Sequence, residues 1–216
     1  MKIPRPPPVG VSPGDPSWGL TPRRGPERSG LPRPLRDQVE GGIYHVVSRG
    51  VRKLPIFTDD RDRERFLWLL EVIVDCYCWE IHAYCLMTNH FHLLVTTKDP
   101  NVSAGVQYLN SRYCAWFNWR HGFEGHVVER RFYSVLMETD EQLLTVARYI
   151  VLNPVRAGMC RSAADWRWSS YRAMVATLAT IPRLSRWLLG LFHGELAQAR
   201  ERLAEFVRAG EPDAVG

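Results

Sequence analysis

Apolar and polar positions change period several times along this chain, and each change marks an element. From residue 43, "IYHVVSRG" is β-branched and aromatic and ends in Gly50, which predicts a first strand. The stretch "DDRDRERFLWLLEVIVDCYC" (59–78) opens on acidic residues suited to a helix N-terminus. Phe66, Leu69, Leu70 and Ile73 then recur at helical spacing. "WEIHAYCLM" (79–87) predicts a second strand, Thr88-Asn89 a turn, and "HFHLLVTT" (90–97) a third strand pairing back on it. A second helix is predicted over roughly 101–120, carrying Val106, Leu109, Tyr113, Phe117 and Arg120. "VVERRFYSVLME" (127–138) reads as a fourth strand, and "DEQLLTVARYIVLNPVRAG" (140–158) as a third helix with Gly158 past its end. Pro154 lies inside that pattern and predicts a kink or break near Asn153. Residues 183–209 predict two more helices.

The order β-α-β-β-α-β-α predicts an α+β fold, an antiparallel sheet with helices on one face and the other face available for a ligand. Residues 1–40 stand apart: they hold ten of the fifteen prolines and five of the sixteen glycines, interleaved with arginine. Such a segment buries too little apolar surface to offset chain entropy, and a disordered tail is expected. The expected organisation is therefore a Pro/Arg-rich tail over 1–40, a folded domain over 41–175 and a C-terminal helical extension over 176–216.

Charge sharpens this division. The net charge is +5, of which the first forty residues contribute +3, seven Lys/Arg against four Asp/Glu. A polyanion-binding surface on the folded part must then come from local clustering. Five cysteines without a C-x-x-C pair argue against a disulfide framework or a zinc knuckle. Neither a secretory leader nor an apolar run of about 18 residues is present, so a cytoplasmic protein is expected.

Two patterns carry chemistry. Side chains alternate along a strand, so His90 and His92 project from one face while Phe91 points to the other. Two imidazoles about 7 Å apart along a strand can converge on one metal ion. They can equally be two unligated strand histidines. On the third predicted helix, Tyr149, Asn153 and Arg156 fall at i, i+4 and i+7, on one face. A phenol can attack phosphorus, a carboxamide oxygen can complete a metal site, and a guanidinium can neutralise phosphate. The bland alternative makes Tyr149 a core residue and Asn153 a cap before Pro154.

Taken as a spaced series, "YHVVSRG" (44–50), "PIFTDDRDRERFL" (55–67), "MTNHFHLLV" (87–95), "RRFYSVLM" (130–137), "ARYIVLNPVRAG" (147–158) and "WRWSSYRA" (166–173) resemble the REP-associated tyrosine transposases, members of the HUH single-strand DNA transposases. The resemblance covers about 43 to 173. It implies a ferredoxin-like (RRM-like) sheet, with the domain over 41–175 as the catalytic part. It implies a histidine–hydrophobe–histidine motif at His90, Phe91 and His92, a nucleophile at Tyr149, and a third metal ligand at Asn153 for Mg²⁺ or Mn²⁺. The implied substrate is single-stranded DNA with imperfect palindromes, cleaved and rejoined through a 5′-phosphotyrosine by a monomer or homodimer associated with the nucleoid. The alternative is a hairpin-binding protein on the same scaffold without chemistry. Arg49, Arg131 and Arg156 are the leading candidate DNA contacts. Arg130, Arg112 and Arg120 are further candidates, with Tyr44 and Tyr113 as possible stacking platforms for unpaired bases. Two positions depart from the family pattern: Thr88, where proline is common, and Glu129, where a neutral glutamine is expected and a carboxylate would repel phosphate or neighbour the metal.

Overall fold

The computed structural model describes residues 38–176 and 184–211. The tail expected over 1–40 therefore lies almost wholly outside the described residues, as does the start of the C-terminal extension. The described residues form a four-stranded antiparallel sheet of β1 (Gly42–Arg49), β2 (Trp79–Leu86), β3 (His90–Thr97) and β4 (Tyr133–Leu136), in the order β2-β3-β1-β4. Helices α1 (Asp60–Tyr77) and α2 (Val102–His121) are the two crossovers, and α3 (Asp140–Arg156) follows β4. Short α4 (Tyr171–Val175) and α5 (Trp187–Gly190) lead to α6 (Leu196–Arg208). This is the expected α+β, ferredoxin-like topology.

Alternation along the strands sends opposite sets of side chains to two cores. Tyr44, Val46, Phe91, Leu93 and Val95 meet Phe66, Leu70 and Ile73 of α1 and Val106, Leu109 and Tyr113 of α2. Gly105 lets α2 approach the sheet end, because a Cβ there would run into the indole of Trp79. Asp59 caps α1 by accepting from the Asp62 amide, and Thr139 caps α3 by accepting from Gln142.

The second face carries a layer of its own. Ala83 and Cys85 of β2 and Leu94 of β3 pack against Leu143, Ala147, Ile150 and Val151 of α3, joined by Leu188, Ala199 and Leu203 from the C-terminal helices. The face expected to lie open is thus covered along β2 and β3. The reason lies in β2, which is apolar on both sides: seven of its eight residues are buried, so it needs a cover on each.

Two expected elements differ. The fourth strand spans Tyr133–Leu136, not 127–138. Tyr133 pairs with Val47, but farther along β1 the partner of Gly50 is Val128, a register displaced by two residues. That excess leaves Arg130–Phe132 outside the pairing, after a last bond from the Glu129 amide to the Arg49 carbonyl. Helix α3 runs through Pro154 to Arg156 without a break. Proline falls in the last turn, where the missing amide forfeits one helical bond near an end that already leaves carbonyls unpaired.

Candidate active site

The β1–β3 pairing builds the site. Val47 lies opposite His92, Arg49 opposite His90, and His45 opposite Leu94, so His45 and His92 are diagonal neighbours on the α3 side. The rings of His90 and His92 lie 4.9 Å apart, edge to face. His45 stacks on His92 with centroids 5.3 Å apart, and its Nε2 is 3.0 Å from His92 Nδ1. From α3, the ring of Tyr149 stands edge-on to both, 5.7 Å from His92 and 6.2 Å from His45. The guanidinium of Arg156 lies 5.5 Å from the Tyr149 ring. One turn after the tyrosine, Asn153 Nδ2 donates to the Tyr149 carbonyl at 2.9 Å. That bond occupies the amide nitrogen and leaves Oδ1 as the group it can offer.

The imidazoles of the centre are held neutral. Burial pushes His90 down to about 4, with the nearby Arg49 charge adding to the shift. Burial also holds His92 well below the ordinary histidine range and His45 at about 4. Neutral imidazoles keep a lone pair for a metal. His90 Nδ1 donates to Asn89 Oδ1 at 2.7 Å, and Asn89 Nδ2 donates to the Lys53 carbonyl at 3.1 Å. With the amide so oriented, His90 Nδ1 carries the proton and Nε2 is free to ligate. His92 Nε2 is buried and makes no hydrogen bond, a cost of about 1–3 kcal/mol unless an ion takes the lone pair. Among the described residues no group of three His, Cys, Asp or Glu side chains could hold a metal. A site on His90 and His92 therefore needs an oxygen of another kind, as Asn153 Oδ1 would supply. The donor set fits a divalent ion.

Of the residues singled out from sequence, the structure brings together His90, His92, Tyr149 and Arg156, with Asn153 one turn along α3 from the tyrosine and Arg49 exposed opposite His90. Arg156 Nη1 is buried without a hydrogen-bond partner, a guanidinium nitrogen with donor capacity to spare. Arg131 belongs elsewhere. With Glu129 and Arg130 it lines a cleft of about 490 Å³ whose other wall is α2, including Asn110 and Ser111.

Three candidate contacts are corrected. Tyr113 is buried and its hydroxyl donates to the Ile56 carbonyl; Tyr44 is buried and its hydroxyl accepts from the Val39 amide. Neither presents a face to a base. Arg120 is ion-paired with Asp59 and Asp62, tying the end of α2 to the start of α1. His45 went unnoticed in the sequence. The available signal was alternation: on β1, His45, Val47 and Arg49 share the face that β3 gives to His90 and His92.

A histidine pair on a central strand of a ferredoxin-like sheet thus meets a tyrosine on the helix that crosses it. The profile of the family described as "Transposase IS200 like" matches residues 38–153, and the chain belongs to that family. A Haemophilus influenzae protein named "Putative REP-associated tyrosine transposase" is 28% identical over 147 residues, which cover 63% of this chain and 83% of the relative. A solved structure of a REP-associated tyrosine transposase bound to a REP hairpin shares the fold, with a TM-score of 0.57 and 19% identity over 72% of this chain and 92% of that one. The resemblance drawn from the motifs is borne out. No described helix is long and apolar enough to cross a membrane.

Proposed function

We propose that this chain cleaves and rejoins single-stranded DNA at imperfect palindromes, with Tyr149 as the nucleophile. The observation that carries the reading is the packing of Tyr149 edge-on against His92, beside a buried His92 Nε2 that has no partner. The phenol oxygen bonds to phosphorus as the bond from phosphorus to the 3′-oxygen breaks. The phenol loses one O–H and the DNA gains one, leaving a 5′-phosphotyrosine and a free 3′-hydroxyl. A phosphodiester is exchanged for a phosphodiester, so another 3′-hydroxyl can reverse the step without ATP. A divalent ion held by His90 Nε2, His92 Nε2 and Asn153 Oδ1, Mg²⁺ or Mn²⁺, would withdraw charge from the scissile phosphate. Arg156, 5.5 Å from the tyrosine ring, is suited to binding that phosphate, and its buried Nη1 has the free donor to do so. Asn153 clamps the Tyr149 carbonyl and so ties the nucleophile's turn of α3 to the metal ligand.

The choice of substrate draws on the family membership and on the hairpin named for the solved relative. Exposed Arg49 and the cleft holding Arg130 and Arg131 offer basic groups to a strand leaving the centre. The test is an adduct assay. Labelled hairpin single strands from the gene's own flanks are incubated with the parent and with Tyr149→Phe, with Mn²⁺ or Mg²⁺, and resolved under denaturing conditions. A metal-dependent adduct formed by the parent alone is expected. Tight hairpin binding with no adduct would establish the binding-only alternative.

A further inference from the structure

Buried His45 touches both a proposed ligand, His92, and the proposed nucleophile, Tyr149, and the reading above gives it no part. It is 2% exposed and His92 4%. Their contact joins two ring nitrogens 3.0 Å apart, which is a hydrogen bond only if one carries a proton and the other a lone pair. Two arrangements satisfy that condition. If His45 donates, the neutral His92 must carry its own proton on Nε2, where it would face any bound cation. If His92 donates from Nδ1, its Nε2 is a bare lone pair and His45 carries its proton on Nδ1. Neither His92 Nε2 nor His45 Nδ1 has another partner, so the protein around the pair does not choose between them. A cation does, because it can bond only to the bare nitrogen.

His90 shows how the other ligand is prepared. Its Nδ1 proton is taken by Asn89 Oδ1, itself oriented by the Lys53 carbonyl. The two histidines thus have the same construction, Nδ1 engaged and Nε2 free, with a different acceptor behind each. His45 is not placed as a third ligand, since its Nε2 is spent on His92. Its ring also meets the edge of Tyr149, 6.2 Å between centroids and 77° between planes. A change in His45 therefore reaches ligand and nucleophile together.

Resting on the metal-bearing reading above, we propose that His45 is a positioning residue: its Nε2 accepts the Nδ1 proton of His92, directing the His92 Nε2 lone pair at the divalent ion, while its ring sets the edge contact with Tyr149. Outer acceptors of this kind fix ligand tautomer and raise ligand basicity, and their loss lowers metal affinity about 10- to 100-fold.

The test uses the full chain, its His45→Phe variant, which keeps an aromatic ring without an acceptor, and His45→Gln, which restores one. Circular dichroism and thermal unfolding check that all three fold. The first readout is long-range ¹⁵N–¹H correlation of histidine-labelled protein, which separates the two tautomers by nitrogen shift. The second is Mn²⁺ affinity without DNA, from the electron-paramagnetic signal of the free ion. In the Mn²⁺-free parent the Nδ1–H form of His92 is expected to be populated, and in the Phe variant reduced. Mn²⁺ should bind the Phe variant about 10- to 100-fold more weakly and the Gln variant close to the parent. An exclusive Nε2–H form of His92 in the parent, or parental affinity in the Phe variant, overturns the proposal. Equal loss in both variants overturns it too, by making His45 a ligand. A parent that binds no Mn²⁺ refutes the metal site instead, and the tautomer alone then decides the role of His45.

Discussion

The two faces of the sheet are built from the same strands, yet they spend their residues differently. Toward α1 and α2, Phe66, Phe91, Trp79 and Tyr113 pack with no histidine among the buried residues. Toward α3, the same β1 and β3 place His45 and His92 against Tyr149, with His90 edge to face on His92, and His82 lies near Trp187 of α5. Phe91 sits between His90 and His92 in sequence and is buried on the opposite side. The first face buries its charge on a helix, Asp62 of α1, bonded by Thr58, Arg120 and His121. The second puts imidazole nitrogens without partners on the strands themselves, His45 Nδ1, His82 Nδ1 and His92 Nε2, a cost to stability that a binding site can carry. The lesson is a division of labour at single-residue resolution.

Substitutions on each face should break this comparison in different observables. The largest effect is expected at the nucleophile: Tyr149→Phe should lower adduct formation at least about a thousandfold while leaving the thermal unfolding midpoint nearly unchanged. If the adduct persists, the chemistry is not on this face. Next, Phe91→Ala should cost about 3–5 kcal/mol in denaturant unfolding, far more than the isosteric loss at Tyr149. A cost below about 1 kcal/mol would show that the α1/α2 face does not carry the stability assigned to it.

Acid should discriminate the faces more gently. His45 and His82 titrate near 6.5 when unfolded and near 4 in the native protein, because burial disfavours their charged forms. Between those values the unfolded chain binds more protons, so stability falls as pH drops from 6.5 toward 4. The loss at pH 5 is at most about 2 kcal/mol for each, and the described residues of the opposite core include no buried histidine to share it. Hydrogen exchange at pH 5 against pH 7 should show α3 and β2 losing protection before α1. The smallest effect is expected at the cleft: Arg131→Ala should reduce the salt slope of hairpin binding by about one without altering the adduct yield at saturating DNA.

Much of this was legible in the chain. Phe66, Leu69, Leu70 and Ile73 gave α1 its period, and alternation through His90-Phe91-His92 assigned the faces of β3 correctly. Helical spacing puts Tyr149, Asn153 and Arg156 on one face of α3, where Asn153 bonds the Tyr149 carbonyl and Arg156 lies beside its ring. What escaped depended on pairing between distant segments. Nothing local says that Tyr133 opposes Val47 while Val128 opposes Gly50, so "VVERRFYSVLME" reads as one strand. Tyr44 and Tyr113 have the composition of stacking platforms, but only the packed helices reveal that both are interior. His45 becomes visible only once β1 is laid against β3, because its neighbour His92 is 47 residues away.

The hairpin of β2 and β3 also limits how this protein can change. Its connection is short, Met87–Asn89, and it is held to the preceding segment by Thr88, whose carbonyl accepts from the Ile56 and Phe57 amides. Deleting or inserting one residue just before His90, with the rest of the ladder held, would reverse the side every β3 side chain takes, driving imidazoles into the aromatic core and a phenylalanine under the tyrosine. Such a change loses fold and site in one step. Length variation in descendants or engineered versions of this chain should therefore skip this hairpin and accumulate where no ladder keeps count, as in the stretch before β4.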